Sequence, residues 1–232
     1  MRWAWVPRWS LLDGQSLTQQ VIEFPGGNLV VEPQEARFHP PAPTMWTRKL
    51  TGAGWAVGLL LQPACGTVLR GTAAVAGDLP AVSHEIRAQM TATADDATAE
   101  AAARLLLDWA ERHLPAPGAD GRLLNAIVNQ VDTNPEILSS SQLAAAAGIG
   151  QRRLQRLVSP ALGYSPLWLI RRRRLQDAAA RIRTGEPSAD LAAALGYADQ
   201  SHFQRDLKTV TGQTPGAYRR LVAGANRSET SG

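Results

Sequence analysis

Leu143-Ala144-Ala145-Ala146-Ala147-Gly148 returns 48 residues later as Leu191-Ala192-Ala193-Ala194-Leu195-Gly196. Two further pairs follow in the same order. Leu154-Gln155-Arg156 returns as Phe203-Gln204-Arg205, and Gly163-Tyr164-Ser165-Pro166 as Gly212-Gln213-Thr214-Pro215, both 49 residues on. The second copy thus carries one extra residue between Gly196 and Phe203. Similarity that preserves order and spacing marks a duplicated unit rather than compositional accident. Each copy reads as a short helix, a sharp turn and a second helix. Ala144 and Ala192 are small enough for the second helix to approach closely, and Gly148 and Gly196 sit where the turn needs φ > 0. Leu154 and Phe203 anchor the second helices to a core.

The rest of each second helix is polar. The first copy presents Arg152, Gln155 and Arg156, and the second presents Gln200, Ser201, His202, Gln204 and Arg205. Arg pairs bidentately with guanine and Gln with adenine, so these are residue types that read base edges. Packed helical hairpins with a solvated polar face are the alternative. The charge distribution argues against it. Residues 1–120 hold 9 Lys/Arg and 12 Asp/Glu, whereas residues 121–232 hold 15 and 8. A duplicated polar helix in the basic half points to a polyanion.

Working outward, a long connecting helix is expected from Ser165 to about Arg183, stopped by Thr184-Gly185. Ser139 and Gln142 make a capping box ahead of Leu143. Further helices are expected near Ser188, near Asp199 and from the pair Thr214-Pro215. Leu123, Leu124, Ile127, Val128 and Val131 form another helical stripe, ended by Asn134-Pro135. About seven helices and no strand are expected after residue 120. Arg171-Arg172-Arg173-Arg174 spans most of a helical turn, so the four side chains cannot all face one partner. One or two are expected to reach phosphate or an acid, the others to be solvated or to cover apolar neighbours. Arg181 and Arg183 read as solvated last-turn residues suited to the helix dipole.

From Arg122 to Arg220 the chain resembles the DNA-binding domain of the AraC/XylS family of bacterial transcription regulators. The second copy carries most of the resemblance: Leu191-Ala192, Gly196-Tyr197, Ser201-His202-Phe203, Arg205, Leu207-Lys208, Gly212, Thr214-Pro215 and Tyr218-Arg219. The resemblance implies two helix-turn-helix units joined by one helix, each placing a recognition helix in successive major grooves. It implies base-facing or groove-lining positions for Arg152, Gln155, Arg156, Gln200, Ser201, His202, Gln204 and Arg205, and a phosphate contact for Arg171. The chain departs from the family pattern at Gly150, where Ser is usual, at Val158 and Leu207, where Phe is usual, and at Ser188, where an apolar residue is usual.

The first half reads differently. Five of the seven Trp residues, Trp3, Trp5, Trp9, Trp46 and Trp55, lie in the first quarter. Gln20 to Phe24, Leu29 to Glu32 and Trp55 to Leu61 are strand candidates, with Thr67 to Arg70 a candidate partner for the last. From Pro80 the texture is Ala-rich and helical. Thr93 followed by Asp96 fits a helix start, and Ala101, Leu105 and Trp109 make a stripe ending near His113. The stretches Glu23 to Leu29 and Gly54 to Leu59 are similar to a short β-rich N-terminal domain carried by some of these regulators. Trp46 and Trp55 are candidate walls of an apolar effector pocket, or else core residues.

The expected fold is therefore α+β. A β-rich N-terminal domain with helices, a candidate sensing or dimerisation domain, spans 1–113. A linker follows at 114–120, then an all-α DNA-binding domain with two helix-turn-helix motifs at 121–222, and a polar, disordered tail at 223–232. The expected partners are double-stranded DNA, a candidate small-molecule effector and a second copy of the chain. No cofactor, metal or membrane contact is expected. No apolar run reaches the ~18 residues of a membrane span, and Met1 to Ser10 lacks a signal-peptide core, so a cytoplasmic location is expected. The lone Cys65 excludes an internal disulfide framework. The competing readings are an architectural DNA-binding protein without an effector and a Cys65-dependent enzyme. A lone Cys is more often a small hydrophobe, and no Gly-rich phosphate loop of P-loop type occurs, so no enzymatic activity is expected. A fragment of residues 121–232 should bind duplex DNA with a log–log salt slope on the order of −4 to −8. Filter binding across a salt series checks this, and salt-independent or absent binding would overturn it.

Overall fold

A computed structural model describes residues 3–22, 24–71, 79–93 and 95–220. The expected tail at 223–232 lies outside the described residues. The chain divides into two compact units. The first comprises Met1–Gln19, Phe24–Pro41 and Arg48–Ala126, the second Gln20–Glu23, Ala42–Thr47 and Ile127–Gly232. Among the described residues no helix is long and apolar enough to cross a membrane.

The first unit is built on an antiparallel sheet of order β1-β8-β4-β5, from Trp3–Trp5, Val57–Leu60, Asn28–Val31 and Ala36–His39. Every residue of β8 is buried. This explains why Ala56 to Leu61 is unbroken by charge, since a central strand covered on both faces has no solvated side. Two separate two-stranded sheets are also present: β2 (Arg8–Ser10) pairs with β7 (Ala53–Trp55), and β3 (Ser16–Val21) pairs with β6 (Trp46–Thr51). The N-terminal Trp residues have a definite role here. Trp5 lies opposite Gly58 and Trp9 opposite Gly54. A Cβ on Gly58 would stand 2.1 Å from the Trp5 ring, and one on Gly54 2.3 Å from the Trp9 ring. Each indole therefore fills the space that a side chain on its cross-strand partner would need.

Helices α2 (Leu79–Ala92) and α3 (Asp96–His113) complete this core with Val82, Ile86, Met90, Ala102, Leu106 and Trp109. Two expectations are corrected in this unit. Thr67 to Arg70 is not a strand but part of α1 (Pro63–Gly71). Pro63 pre-sets the first helical φ, and Cys65 and Gly66 donate backbone hydrogen bonds to the Gln62 carbonyl. A short apolar run suits strand and helix equally, so its period could not decide between them. The cap of α3 is Asp95 rather than Thr93: its Oδ1 accepts from the Thr98 N–H at 2.7 Å.

The second unit is helical in its described part after residue 126. It holds the end of α4 (Ala119–Thr133), then α5 (Ser140–Ala146), α6 (Gln151–Leu162), α7 (Pro166–Arg183), α8 (Ser188–Ala194), α9 (Gln200–Thr211) and helical residues 215–220. The duplication is visible bond by bond. After α5, Gly148 N donates to Ala145 O and Ile149 N to Ala144 O. After α8, Gly196 N donates to Ala193 O and Tyr197 N to Ala192 O. Both are Schellman closures on a left-handed glycine, with φ of +64° at Gly148 and +73° at Gly196. Ser139 caps α5 as expected, accepting from Gln142 N. Phe203, Leu207, Val210, Leu191, Leu195 and Tyr218 form the second motif's core. Ile22 and Met45, from the short N-terminal segments of this unit, pack against it. Met45 N donates to Val210 O at 2.9 Å, and Gln176 Nε2 to Ile22 O at 2.9 Å. A fragment that starts at residue 121 therefore lacks two apolar side chains of this core.

The four consecutive arginines on α7 correct a third expectation, because three of them, Arg171, Arg172 and Arg173, lie against acids and none of Arg172 to Arg174 is solvated. Arg172, Arg173 and Arg174 are buried. Arg172 Nη2 donates to Asp132 Oδ1 of α4 at 2.9 Å. Arg173 donates to Asp177 Oδ2 at 2.7 Å and to Pro135 O at 3.2 Å. Arg174 Nε donates to Leu195 O, in the turn of the second motif, at 2.7 Å, and its guanidinium lies 3.7 Å from the centre of the Tyr197 ring. Arg181 is not simply solvated either, since its Nε donates to Glu186 Oε2 at 2.6 Å. Helical geometry turns successive side chains by about 100°, so the run ties α7 to a different neighbour at each position.

Two stability predictions follow from these packings. Gly58→Ala should cost about 1–3 kcal/mol by overpacking against Trp5, read by urea denaturation with Trp fluorescence. An unchanged midpoint would show that the indole does not fill that space. Arg172→Ala should cost about 3–5 kcal/mol by removing the buried guanidinium from which Asp132 accepts, and Arg172→Met with Asp132→Leu should recover much of it. A single-variant loss under ~1 kcal/mol, within the usual range for exposed ion pairs, would contradict the role given to Arg172.

Candidate nucleic-acid interface

Helices α6 and α9 are the second helices of the two motifs, and each has 12 residues. Each ends on a left-handed glycine, Gly163 with φ +82° and Gly212 with φ +70°. Their starts differ. Gly150 gives α6 no side-chain cap, which is the cost of the glycine in place of the family's usual Ser. Asp199 caps α9 by accepting from His202 N at 2.7 Å. Val158 and Leu207, the two departures from Phe, are both fully buried, so the smaller side chains still fill their places.

The buried stripe of each helix sets what faces outward. On α6 Leu154, Val158 and Leu162 are buried, while Arg152, Gln155 and Arg156 are exposed. On α9 Phe203, Leu207 and Val210 are buried, while Gln200, Ser201, Gln204 and Arg205 are exposed. Residues three and four apart share a face, so Arg152, Gln155, Arg156 and Ser159 make one surface of α6. Ser201, Gln204, Arg205 and Lys208 make the matching surface of α9, 49 residues later at every position. Within these surfaces Gln155 Nε2 donates to Ser159 Oγ at 2.8 Å, and Arg205 Nε to Ser201 O at 3.3 Å.

The sequence reading missed Lys208, Arg153 and Asp206. Lys208 is exposed and completes the α9 surface. Its signal was present, since it lies at i+3 from Arg205 and i+4 from Gln204. Arg153 is exposed beside Arg152. His202, assigned from the sequence to the reading face, leans instead toward the side of α9. Its Nε2 lies 3.8 Å from Asp206 Oδ2, and its ring stands edge-on to Tyr197 at 5.4 Å. Arg171 Nε lies 3.6 Å from the same Asp206 oxygen. Burial pushes the Tyr197 phenol well above its ordinary range, against the opposing charge of Arg174, so Tyr197 serves as a neutral packing residue.

Trp55 is packed in the core of the first unit at 8% exposure, while Trp46 is half-buried on β6 and belongs to the second. Cys65 is half-buried on α1 against the first core.

Comparison with known proteins bears on the C-terminal part. Residues 143–221 match the family described as a helix-turn-helix domain. The right origin-binding protein of Escherichia coli K12 is 33% identical over 118 residues, 50% of this chain and 34% of that protein. The transcriptional activator NphR of a Rhodococcus species is 33% identical over 84 residues, 36% of this chain and 25% of that protein. The chain thus spans about a third or less of the length of these curated relatives. A structure of ToxT from Vibrio cholerae aligns over 94% of this chain and 98% of that one, with 12% identity and a TM-score of 0.49. The matched segment includes α6, α7, α8 and α9, the two recognition-type helices and the arginine-bearing helix between them. Residues 143–221 are a helix-turn-helix domain of the AraC type.

Proposed function

We propose that the chain is a sequence-specific DNA-binding transcription regulator that places α6 and α9 in adjacent major grooves of one duplex. The observation that carries this reading is the pair of matching surfaces on α6 and α9. They hold Arg and Gln at equivalent positions, on helices of equal length and equal termination. Arg152, Gln155 and Arg156 would read one block, and Gln200, Ser201, Gln204 and Arg205 the other, with Lys208 toward phosphate. The names of the relatives, an origin-binding protein and a transcriptional activator, support the same class.

The N-terminal unit has a core of its own. In this reading it supplies control, through a small-molecule effector or through a second copy of the chain. Trp55 lies in that core and Trp46 on β6 of the other unit, so a metabolite titration followed by Trp fluorescence and operator affinity separates an effector-controlled regulator from an architectural DNA-binding protein. Catalysis has no part in this reading. Thiol labelling of Cys65 that leaves DNA binding intact is the expected result.

The operator should be bipartite, its two blocks centred about 10–10.5 base pairs apart. The blocks need not be palindromic, because the two surfaces differ. Selection from a random duplex library checks this, and a single short block or a strict palindrome bound only by dimers would contradict it. Arg205→Ala should cost about 1–3 kcal/mol, concentrated at one or two base pairs. An even loss across a panel of single-base variants would make Arg205 a phosphate clamp instead.

A further inference from the structure

Asp206 is the only acid within either recognition helix. It is largely shielded, its side chain 14% exposed; it faces Arg171 of α7 at 3.6 Å and His202 at 3.8 Å, and lies within electrostatic reach of the buried Arg174. Arg171 differs from its three neighbours in the run. Arg172, Arg173 and Arg174 are each held by short hydrogen bonds. Among the described residues no hydrogen bond engages the Arg171 guanidinium, which is 39% exposed and held to Asp206 by charge alone. It therefore stands beside α9 at Asp206, which is about 100° round the helix from Arg205, in reach of solvent and loosely tethered. A helix lying in the major groove has phosphodiester walls on both flanks. A guanidinium in that place can exchange a long ion pair for short, bidentate hydrogen bonds to phosphate.

We propose that Asp206 is a positioning residue that holds Arg171 against α9 and competes with the DNA backbone for it. Asp206 thereby weakens the sequence-independent part of binding and leaves the base-reading residues untouched. This rests on the DNA-binding reading above. In the free protein the pair keeps Arg171 close to the flank of α9. On DNA, Arg171 moves from carboxylate to phosphate, and the carboxylate left behind, near that phosphate, opposes the transfer. The acid thus acts as an internal substitute for the backbone anion.

The test uses the full chain with two probes, a random-sequence duplex and the selected operator, across a salt series. Asp206→Asn should tighten binding to both by a similar factor, on the order of tenfold at ~0.1 M salt, and steepen the log–log salt slope by up to about 0.9, because no carboxylate is left beside the phosphate to offset the charge that Arg171 brings to it. Asp206→Glu should behave like the wild type. In an Arg171→Ala background the gain from Asp206→Asn should collapse. This background is the essential control, because removing any negative charge from a DNA-facing helix raises affinity slightly at long range. A gain that persists without Arg171, or an Asp206→Asn protein that melts normally and binds no more tightly, would overturn the proposal. Should Asp206→Asn fail to fold, Asp206→Ser gives the same comparison. A wild-type chain that binds neither probe at low salt would instead sink the DNA-binding reading itself.

Discussion

The arginines of α7 are the constraint on which the two helix-turn-helix motifs depend. One helix must hold two duplicated units in a fixed relation, and it has only 18 residues for the task. Its middle turn uses guanidinium groups because their donors diverge and can bond several acceptors at once. Arg172 reaches Asp132 on α4, before the first motif, and Arg174 reaches the Leu195 carbonyl in the turn of the second. A buried guanidinium without a partner is strongly unfavourable, so each arginine specifies where its neighbour must sit. An apolar residue at the same positions would fill space without fixing a direction.

This arrangement changes how the charge of the C-terminal half is understood. The excess of Lys and Arg after residue 120 suggested a broad basic surface. Part of it is committed to acids, Arg171 to Asp206, Arg172 to Asp132, Arg173 to Asp177 and Arg181 to Glu186, and Arg172 to Arg174 are buried. The cations exposed on the two recognition helices are Arg152, Arg153, Arg156, Arg205 and Lys208. A concentrated pattern suits base reading better than a diffuse one, because specificity comes from donors at defined places and non-specific affinity from charge in general.

The N-terminal unit solves a different problem with aromatic residues. Gly54 and Gly58 lie in consecutive strands facing β2 and β1, and glycine inside a strand weakens it. Trp9 and Trp5 cover these gaps from the opposite strand, restoring the buried apolar area that the glycines lack. The Trp-rich start of the chain is thus part of the β-structure, although neither its composition nor its spacing shows the partners, which lie about fifty residues downstream.

What the sequence by itself determined was local and periodic. The 48–49-residue duplication, the glycine turns at Gly148 and Gly196, the Ser139 and Ser165 caps, the limits of α7 and the outward faces of α6 and α9 all follow from helical spacing and from residues with special backbone demands. What only the tertiary structure decided was non-local. Arg171 to Arg174 look alike in sequence, yet Arg171 faces Asp206 of α9, Arg172 bonds Asp132 of α4, Arg173 bonds the Pro135 carbonyl and Asp177 of its own helix, and Arg174 bonds the Leu195 carbonyl. His202 turns toward Asp206 because Tyr197 and Arg171 stand beside it. Ile22 and Met45 join the core around Phe203 from more than 150 residues away in the chain. Thr67 to Arg70 lie in α1, whose Gly66 passes so close to the Gly26 carbonyl that a Cβ would stand only 2.3 Å from it. The physical reason is the same throughout: periodicity tells which face of an element is apolar or polar, whereas the partner of a buried charge, or the cover of a bare glycine, depends on which distant segment the folded chain brings alongside.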